Sequence, residues 1–123
     1  MPVAAEVLGA LCGETVALMH RLSGKGPTKC RAYWASPDLL LVVLADGLTT
    51  VEQSVAAAGH EREAQAFRGL FHEVAEKELT KVVERLTERS VEAVMSASHA
   101  APDLTALIFV LSRPAAQAGT RRA

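Results

Sequence analysis

The chain has 123 residues, which is enough for one domain with a hydrophobic core and too few for two comfortable ones. Half of the residues are hydrophobic and 22% are charged, a composition that excludes a disordered chain. The formal net charge of −1 argues against a nucleic-acid-binding protein, because such proteins hold the phosphate backbone with a strongly basic surface.

The cysteines and the apolar segments indicate a cytoplasmic protein. Cys12 and Cys30 form no C-x-x-C pair, and a small secreted domain would usually carry more cysteines. The apolar opening of the chain has no basic region before it, unlike a secretory signal, and Glu6 and Glu14 interrupt it. The run LLLVVLA at residues 39–45 is too short to span a membrane. We therefore expect no membrane-spanning segment.

The first predicted element is a helix over residues 3–22, because its leucines recur at helical spacing. Gly24 suits the left-handed position that ends a helix. One side of this helix carries a ridge of small residues at every fourth position: Ala5, Gly9, Gly13 and Ala17. Since a glycine inside a helix costs about 1 kcal/mol relative to alanine, the ridge predicts close packing within the chain, with a dimer contact as the alternative.

The next two elements are strands that form a hairpin. CRAYWA at residues 30–35 and LLLVVLA at residues 39–45 flank an S-P-D turn. The second strand has no polar alternation, which indicates cover on both faces of the sheet. We expect the chain's own helices on one face and a second copy of the chain on the other, and therefore a homodimer.

The second half of the chain adds two helices and two strands. A capping box at residues 49–52 starts a short helix that ends near Ala58, and a long helix follows over residues 60–87. The strands are residues 91–96 and 104–111. Eight residues form the apolar face of the long helix: Phe67, Leu70, Phe71, Val74, Leu79, Val82, Val83 and Leu86.

Together these elements predict an α+β fold in the order α-β-β-α-α-β-β, with a four-stranded, mainly antiparallel sheet and helices packed on one face. Residues 1–113 would form a single domain and residues 114–123 a disordered tail. The stretches YWASPDLLLVVL and MSASHAAPDLTALIFVL both place an A-S element and a P-D-L turn before an apolar strand. This likeness indicates two helix–hairpin halves, or alternatively a shared turn type.

The stretch GKGPTK at residues 24–29 is the first candidate binding site. It is no phosphate loop, because Met19 and Gly26 stand where that pattern requires a glycine and a Ser or Thr, and because it leads from a helix into a strand. A polar and basic cluster could still hold a small anion or an acidic partner surface; its members are Lys25, Gly26, Pro27, Thr28, Lys29 and Arg31. The alternative is a helix-ending turn flanked by solvated lysines.

Two further motifs contain side chains that could do chemistry. His72 and Glu76 superficially match a zinc motif, but a glutamate replaces the second histidine, so we interpret them as a helix-surface pair and expect no metal. Ser96, His99 and Asp103 lie near one turn and resemble the parts of a catalytic triad. Residues this close in a hairpin more often bond to the turn backbone. We therefore expect a turn-organising or ligand-contacting role, with no catalytic residue and no cofactor.

Four stretches together resemble the small bacterial MpsC-like family, named for a sodium-translocating, membrane-potential-generating system: GKGPTKCRAYW, DGLTTVE, HEVAEKELTKVVERLTERSVEAVMSASHAAPD and IFVL. The likeness covers about residues 6–112. Family members often carry acidic residues where this chain has Ala97 and Ala101, so the resemblance implies no metal or acid–base role that depends on them. The positions that match the family's most specific motifs are Gly26, Pro27, Thr28, Lys29, Ser96, His99, Pro102 and Asp103.

The resemblance implies a non-enzymatic accessory or regulatory protein of bacterial membrane machinery for ion movement or inorganic-carbon uptake. Such a protein would lie in the cytoplasm or at the inner face of the membrane. Its basic turn would contact an anion or a protein partner, such as a membrane transport subunit. The alternative is a small cytosolic ligand-binding protein or enzyme that uses Ser96, His99 and Asp103.

Overall fold

The structure of the chain, a computed structural model, describes residues 3–24, 27, 29–46, 50–99 and 102–113. The order of its elements confirms the predicted α+β arrangement. These elements are α1 (Ala4–Ser23), β1 (Lys29–Ser36), β2 (Leu39–Ala45), α2 (Thr50–Ala57), α3 (Glu61–Thr87), β3 (Val91–His99) and β4 (Leu104–Leu111).

Most element ends lie close to where the sequence predicts them. Gly24 has φ 77° and closes α1 in the left-handed conformation, as expected of a glycine at this position. α2 ends one residue before the predicted Ala58, and Gly59 follows with φ 95°. β3 is longer than predicted, because it continues to His99. Thr49, the predicted helix cap, and the predicted tail at residues 114–123 lie outside the described residues.

The four strands form one antiparallel sheet in the order β1-β2-β4-β3. The two hairpins therefore meet along β2 and β4, and β1 and β3 are the edges. α1 and α3 pack against each other and cover one face of the sheet, as predicted. Leu11, Leu40, Leu79 and Phe109 are completely buried between the two layers. Burial of a side chain of this kind contributes roughly 1.5–3 kcal/mol to stability.

The sheet has an approximate two-fold symmetry between its two hairpins. Val42 of β2 pairs with Leu107 of β4, and the register is continuous along both strands. The P-D-L turns at residues 37–39 and 102–104 lie at equal distances along the chain before these two residues. A rotation of 180° about an axis through the Val42–Leu107 pair therefore places each hairpin approximately on the other.

Backbone hydrogen bonds at the sheet ends follow the same symmetry. The amide of Asp46, just after β2, donates to the carbonyl of Asp103 at 3.0 Å. The amide of Leu111, at the end of β4, donates to the carbonyl of Asp38 at 2.8 Å. Each P-D-L turn thus accepts a hydrogen bond from the end of the other hairpin's inner strand, so the approximate two-fold relation of the hairpins extends to their turns.

The ridge of small residues on α1 does not pack against another part of the described chain. All four of its residues are exposed, and an added Cβ would meet no atom of another element within 4 Å at Gly9 or Gly13. The prediction of close intrachain packing is therefore wrong. α1 instead turns bulkier side chains such as Leu11 and Leu18 to the core, because they bury more apolar area.

Three of the eight predicted apolar-face residues of α3 are exposed on the side of the helix that faces away from the sheet. Leu79 and Val83 are completely buried, but Phe67, Leu70 and Val74 are 57%, 63% and 51% exposed. The 27 residues of α3 span roughly 40 Å, whereas strands of this sheet span roughly 30 Å. The first turns of α3 therefore pass the end of the sheet, where they pack against α2. Phe67, Leu70 and Val74 lie on the side of the helix nearly opposite Leu79, so the eight apolar residues do not form one buried face.

A largely buried arginine joins the ends of the two hairpins. The Arg89 side chain is 10% exposed, and its Nε and Nη1 donate to the carbonyls of Ser112 and Pro37, both at 2.7 Å. Its Nη2 donates to the carboxylate of Asp38 at 2.5 Å. Only the planar guanidinium can satisfy three acceptors in this fork arrangement.

Candidate functional site

The sheet face opposite the helices has no cover from the described part of the chain. Residues of β1 to β4 that alternate with the core residues point to this side, which we call the open face. Its centre is apolar and half-buried, and its edges expose large side chains. The principal members are Tyr33, Leu41, Val43, Met95, Ile108 and Val110. An apolar sheet face of this kind is typical of an interaction surface.

Two cations lie along the β1 edge of the open face. Lys29 and Arg31 are exposed and alternate with Cys30, which packs toward the helices. Across the strand pair they stand opposite small or branched apolar residues of β2. In the four described strands the single carboxylate is that of Glu92, which lies at the bulge near the start of β3. The open face is therefore apolar with a positive edge.

The structure describes three of the six residues of the predicted basic turn. Pro27 is buried and lines a small cavity together with Met19 and Leu44, while Lys29 and Arg31 are exposed on the open face. The other three predicted members, Lys25, Gly26 and Thr28, lie outside the described residues. The two exposed cations of the predicted basic turn thus lie on edge strand β1, where strand alternation places Lys29 and Arg31 on the same face of the sheet.

A largely buried ionic cluster lies at the end of the sheet where α2 and α3 meet. The Arg68 side chain on α3 is 13% exposed and donates to Glu52 of α2 at 3.4 Å and to Asp103 of the β3–β4 turn at 3.3 Å. It also donates to the hydroxyl of Thr105 at 3.1 Å. The two carboxylates are 9% and 14% exposed. One guanidinium therefore connects a short helix, a long helix and a turn.

His72 and Glu76 face strand β3, which corrects their interpretation as a helix-surface pair. The hydroxyl of Ser96 donates to the Glu76 carboxylate, and Ser98 Oγ shares a hydrogen bond of 3.3 Å with His72 Nδ1. Burial lowers the pKa of the His72 imidazole below its usual 6.5, and the positive charge of Arg68 lowers it further, against the opposite effect of nearby carboxylates. The ring therefore stays neutral at neutral pH.

A cleft of about 420 Å³ separates α2 and the first turns of α3 from the end of β3. Its lining includes Glu52, Gln53, Arg68, His72, Ser98 and His99. The volume lies within the range of small-ligand pockets, about 300–1,000 Å³. The cleft combines small apolar residues with polar side chains, and the ionic cluster of Arg68 and Glu52 forms part of its wall.

The structure does not bring Ser96, His99 and Asp103 together as a relay. Ser96 bonds to a carboxylate of α3, and Asp103 bonds to Arg68. His99 donates its Nδ1 hydrogen to the carbonyl of Pro102 at 2.9 Å, so its ring organises the turn. Each of these side chains therefore has a different partner.

Arg68 is the residue of this region that the sequence analysis did not select. Charged residues on a long amphipathic helix are normally solvated. Arg68, however, lies four residues before His72 and seven before Ala75, on the same side of the helix as buried Leu79. That spacing is the signal that distinguishes Arg68 from its exposed neighbours.

Comparison with protein families identifies the chain over most of its length. The model described as "Na+-translocating membrane potential-generating system (MpsC)" matches residues 5–113. The chain belongs to the MpsC family. The match begins within α1 and ends after β4, so the MpsC unit contains all seven elements apart from the first residue of α1. Neither the curated proteins nor the solved structures contain a match to this MpsC chain.

Among the described residues of the MpsC chain, no helix has the length and apolar character needed to cross a membrane. α1 and α3 are long enough, but both carry charged side chains along their exposed sides.

Proposed function

We propose that this chain is a non-enzymatic accessory protein that binds another component of a membrane potential-generating system through the open face. The single observation that carries this proposal is the apolar open face with Lys29 and Arg31 at its edge. Membership of the MpsC family supplies the context, because the family's description names a membrane potential-generating system. The absence of a relay among Ser96, His99 and Asp103 favours binding over catalysis.

The chemistry of the open face selects the kind of partner. Its centre would bury an apolar segment, which provides the driving force for association. Lys29 and Arg31 would form charge-assisted hydrogen bonds to carboxylates beside that segment, and these bonds would fix its orientation. We therefore propose an apolar segment flanked by acidic residues on a membrane subunit.

A second copy of the chain fits the open face less well. Two open faces stacked with β1 over β1 would bring together four cations, and stacked with β1 over β3 they would offer each pair of cations a single strand carboxylate, that of Glu92. Like charges in a contact of this kind oppose association. The charge pattern thus favours a different, acidic partner over the second copy that the apolar strand alone suggests.

The test is affinity purification of tagged chain from gently solubilised membranes, with quantitative mass spectrometry of membrane ion-transport subunits. In the Lys29→Ala/Arg31→Ala double variant we expect recovery of such subunits to fall at least about tenfold, the effect of losing about 1.4 kcal/mol of binding free energy. The matched control is Arg62→Ala/Lys81→Ala, which removes two exposed cations from α3. The control should recover the subunits as the unmodified chain does.

Circular dichroism would establish that both double variants are folded. Equal recovery of membrane subunits by the folded Lys29→Ala/Arg31→Ala variant would overturn the role of this edge. A Met95→Asp variant tests the apolar part of the open face separately, since the Met95 side chain on edge strand β3 is 51% exposed and its replacement leaves the core intact. Loss of a homodimer in this variant, with unchanged recovery of membrane subunits, would assign the open face to a second copy.

A second candidate function is small-ligand binding in the cleft beside α2. The cleft volume and the presence of His99 and Ser98 in its lining favour it. Of the predicted ligand-contacting residues, His99 lines this cleft. NMR screening of small polar compounds would test it, with shifts confined to cleft residues as the supporting result and no saturable shift as the contrary one.

A further inference from the structure

The first turns of α3 carry an apolar stripe that faces away from the sheet. The stripe consists of Phe67, Leu70 and Val74, each more than half exposed. Their spacing of three and four residues places them on one side of the helix, nearly opposite the buried Leu79. No described element covers them, although an exposed helix side is normally polar. We call these three residues the α3 stripe.

Two opposite charges lie at equal distances from the middle of the α3 stripe. Glu63 precedes Leu70 by seven residues and Lys77 follows it by seven. Seven residues are close to two helical turns, so both charges lie on the same side of the helix as Leu70. Both side chains are exposed. Glu63 lies 3.7 Å from His60, but an exposed pair of this kind contributes little.

This spacing has a geometric consequence for helix pairing. When two copies of α3 cross antiparallel at Leu70, residue 63 of one copy stands beside residue 77 of the other. The two-fold symmetry repeats the contact, so two Glu63–Lys77 pairs flank the apolar centre. A parallel pair would place Glu63 against Glu63 and Lys77 against Lys77. The charges therefore favour one orientation and disfavour the other.

We propose that the α3 stripe is the docking site for a second copy of this chain, bound with its α3 antiparallel and crossing at Leu70. Phe67 of each copy then lies near Val74 of the other copy, around a central Leu70–Leu70 contact. This surface is separate from the open face, and the inference does not depend on the partner proposed there. The segment from Glu63 to Lys77 is roughly 21 Å long, which gives an interface at the low end of specific sizes. The dimer is therefore reversible and depends on concentration.

The apolar centre is tested by sedimentation velocity over a concentration series of the full chain. We expect the average mass of the unmodified chain to approach twice 13.0 kDa as concentration rises. Leu70→Asp should remain near 13.0 kDa, because it buries two unpaired carboxylates at the crossing point. The matched control is Val51→Asp on α2, at a position that is 71% exposed and outside the stripe, and it should dimerise normally.

The orientation is tested by exchanging the two charges. Glu63→Lys and Lys77→Glu should each weaken the dimer about tenfold, because each replaces two attractions by two repulsions. The double variant Glu63→Lys/Lys77→Glu restores both pairs and should recover the unmodified dissociation constant. Circular dichroism confirms the fold of each variant. A monomer at all concentrations, an unaffected Leu70→Asp dimer, or a double variant as weak as the single ones would each overturn the proposal.

Discussion

At the scale of single residues, largely buried polar side chains lie where separate elements of the chain contact one another. Arg68 bonds to Asp103 of one P-D-L turn, and Arg89 bonds to Asp38 of the other. Removing one partner from a buried ion pair leaves an uncompensated charge, which costs more than the pair itself contributes. His72 belongs to the same class of residue, since its ring is partly buried and bonds to Ser98.

His72 gives a prediction about pH. Because burial and Arg68 lower the pKa of its imidazole in the folded state, the unfolded chain binds this proton more readily than the folded chain does. His72 therefore does not change the free energy of unfolding above about pH 6.5. It lowers this free energy as the pH falls from there toward the lowered pKa of the folded state. The His72→Gln variant should lose part of the decrease in stability that occurs as the pH falls below about 6.5.

Urea unfolding at a series of pH values measures this effect as the difference in free energy of unfolding between variant and unmodified chain. The His60→Gln variant is the control, since His60 is exposed before α3. It should retain the unmodified profile. A difference for His72→Gln that does not change with pH would show that the imidazole does not titrate in this way.

At the scale of elements, α2 depends on α3 for its position. Within the described chain its main contacts are with α3, and its ionic link is the Glu52–Arg68 pair. The Arg68→Met variant keeps most of the apolar stem but leaves two buried carboxylates without the guanidinium. We expect it to lower the free energy of unfolding by about 2–4 kcal/mol.

Hydrogen exchange should locate this loss. The amides of residues 50–57 should exchange at least about tenfold faster in Arg68→Met than in the unmodified chain, because the helix opens locally more often. Arg62→Met is the control at an exposed position of the same helix, with an expected effect within about 0.5 kcal/mol. Faster exchange spread evenly over all elements, with no excess in α2, would contradict the assigned role.

The elements themselves follow from local sequence, which explains why most of them could be predicted. The apolar residues 39–45 form an extended strand, and the glycines at positions 24 and 59 end helices. Both effects depend only on residues that are close together in the chain. The single apolar face of α3 and the close packing of the α1 ridge were predicted wrongly for a different reason. Apolar residues occur on more than one side of α1 and α3, and which side faces the sheet is decided by the packing of the whole fold.

The site was less predictable than the fold for the same physical reason. Lys29 and Arg31 could be selected from their charge, and strand alternation places both on one face. The Arg68 cluster, in contrast, combines residues from α2, α3 and the β3–β4 turn, which are distant in sequence. Only the packed fold shows that these charges share one site.

At the scale of the whole molecule, the two proposed surfaces lie on opposite sides. The open face belongs to the sheet, and the α3 stripe faces away from it on the helical layer. A dimer formed through α3 would therefore leave both open faces accessible, and each could bind one partner.

The two binding events should consequently be separable by substitution. We expect folded Leu70→Asp to remain monomeric and still recover membrane subunits, and Lys29→Ala/Arg31→Ala to lose those subunits and still dimerise. Sedimentation velocity and the affinity purification described above measure the two properties independently. If each variant lost both properties, the surfaces would be coupled, and the separation inferred from the fold would be wrong.

The paired arginines have a mechanical consequence. Helix α3 carries Arg68 near its beginning, and Arg89 follows two residues after its end. These two side chains bind the P-D-L turns at opposite ends of the sheet. Displacing α3 along its axis would distort the bonds of both arginines, so these bonds fix the position of the helix along the sheet at two points. Tilting the first turns of α3 would disturb the bonds of Arg68 and His72 and leave those of Arg89 in place, so the two ends of this helix are held independently.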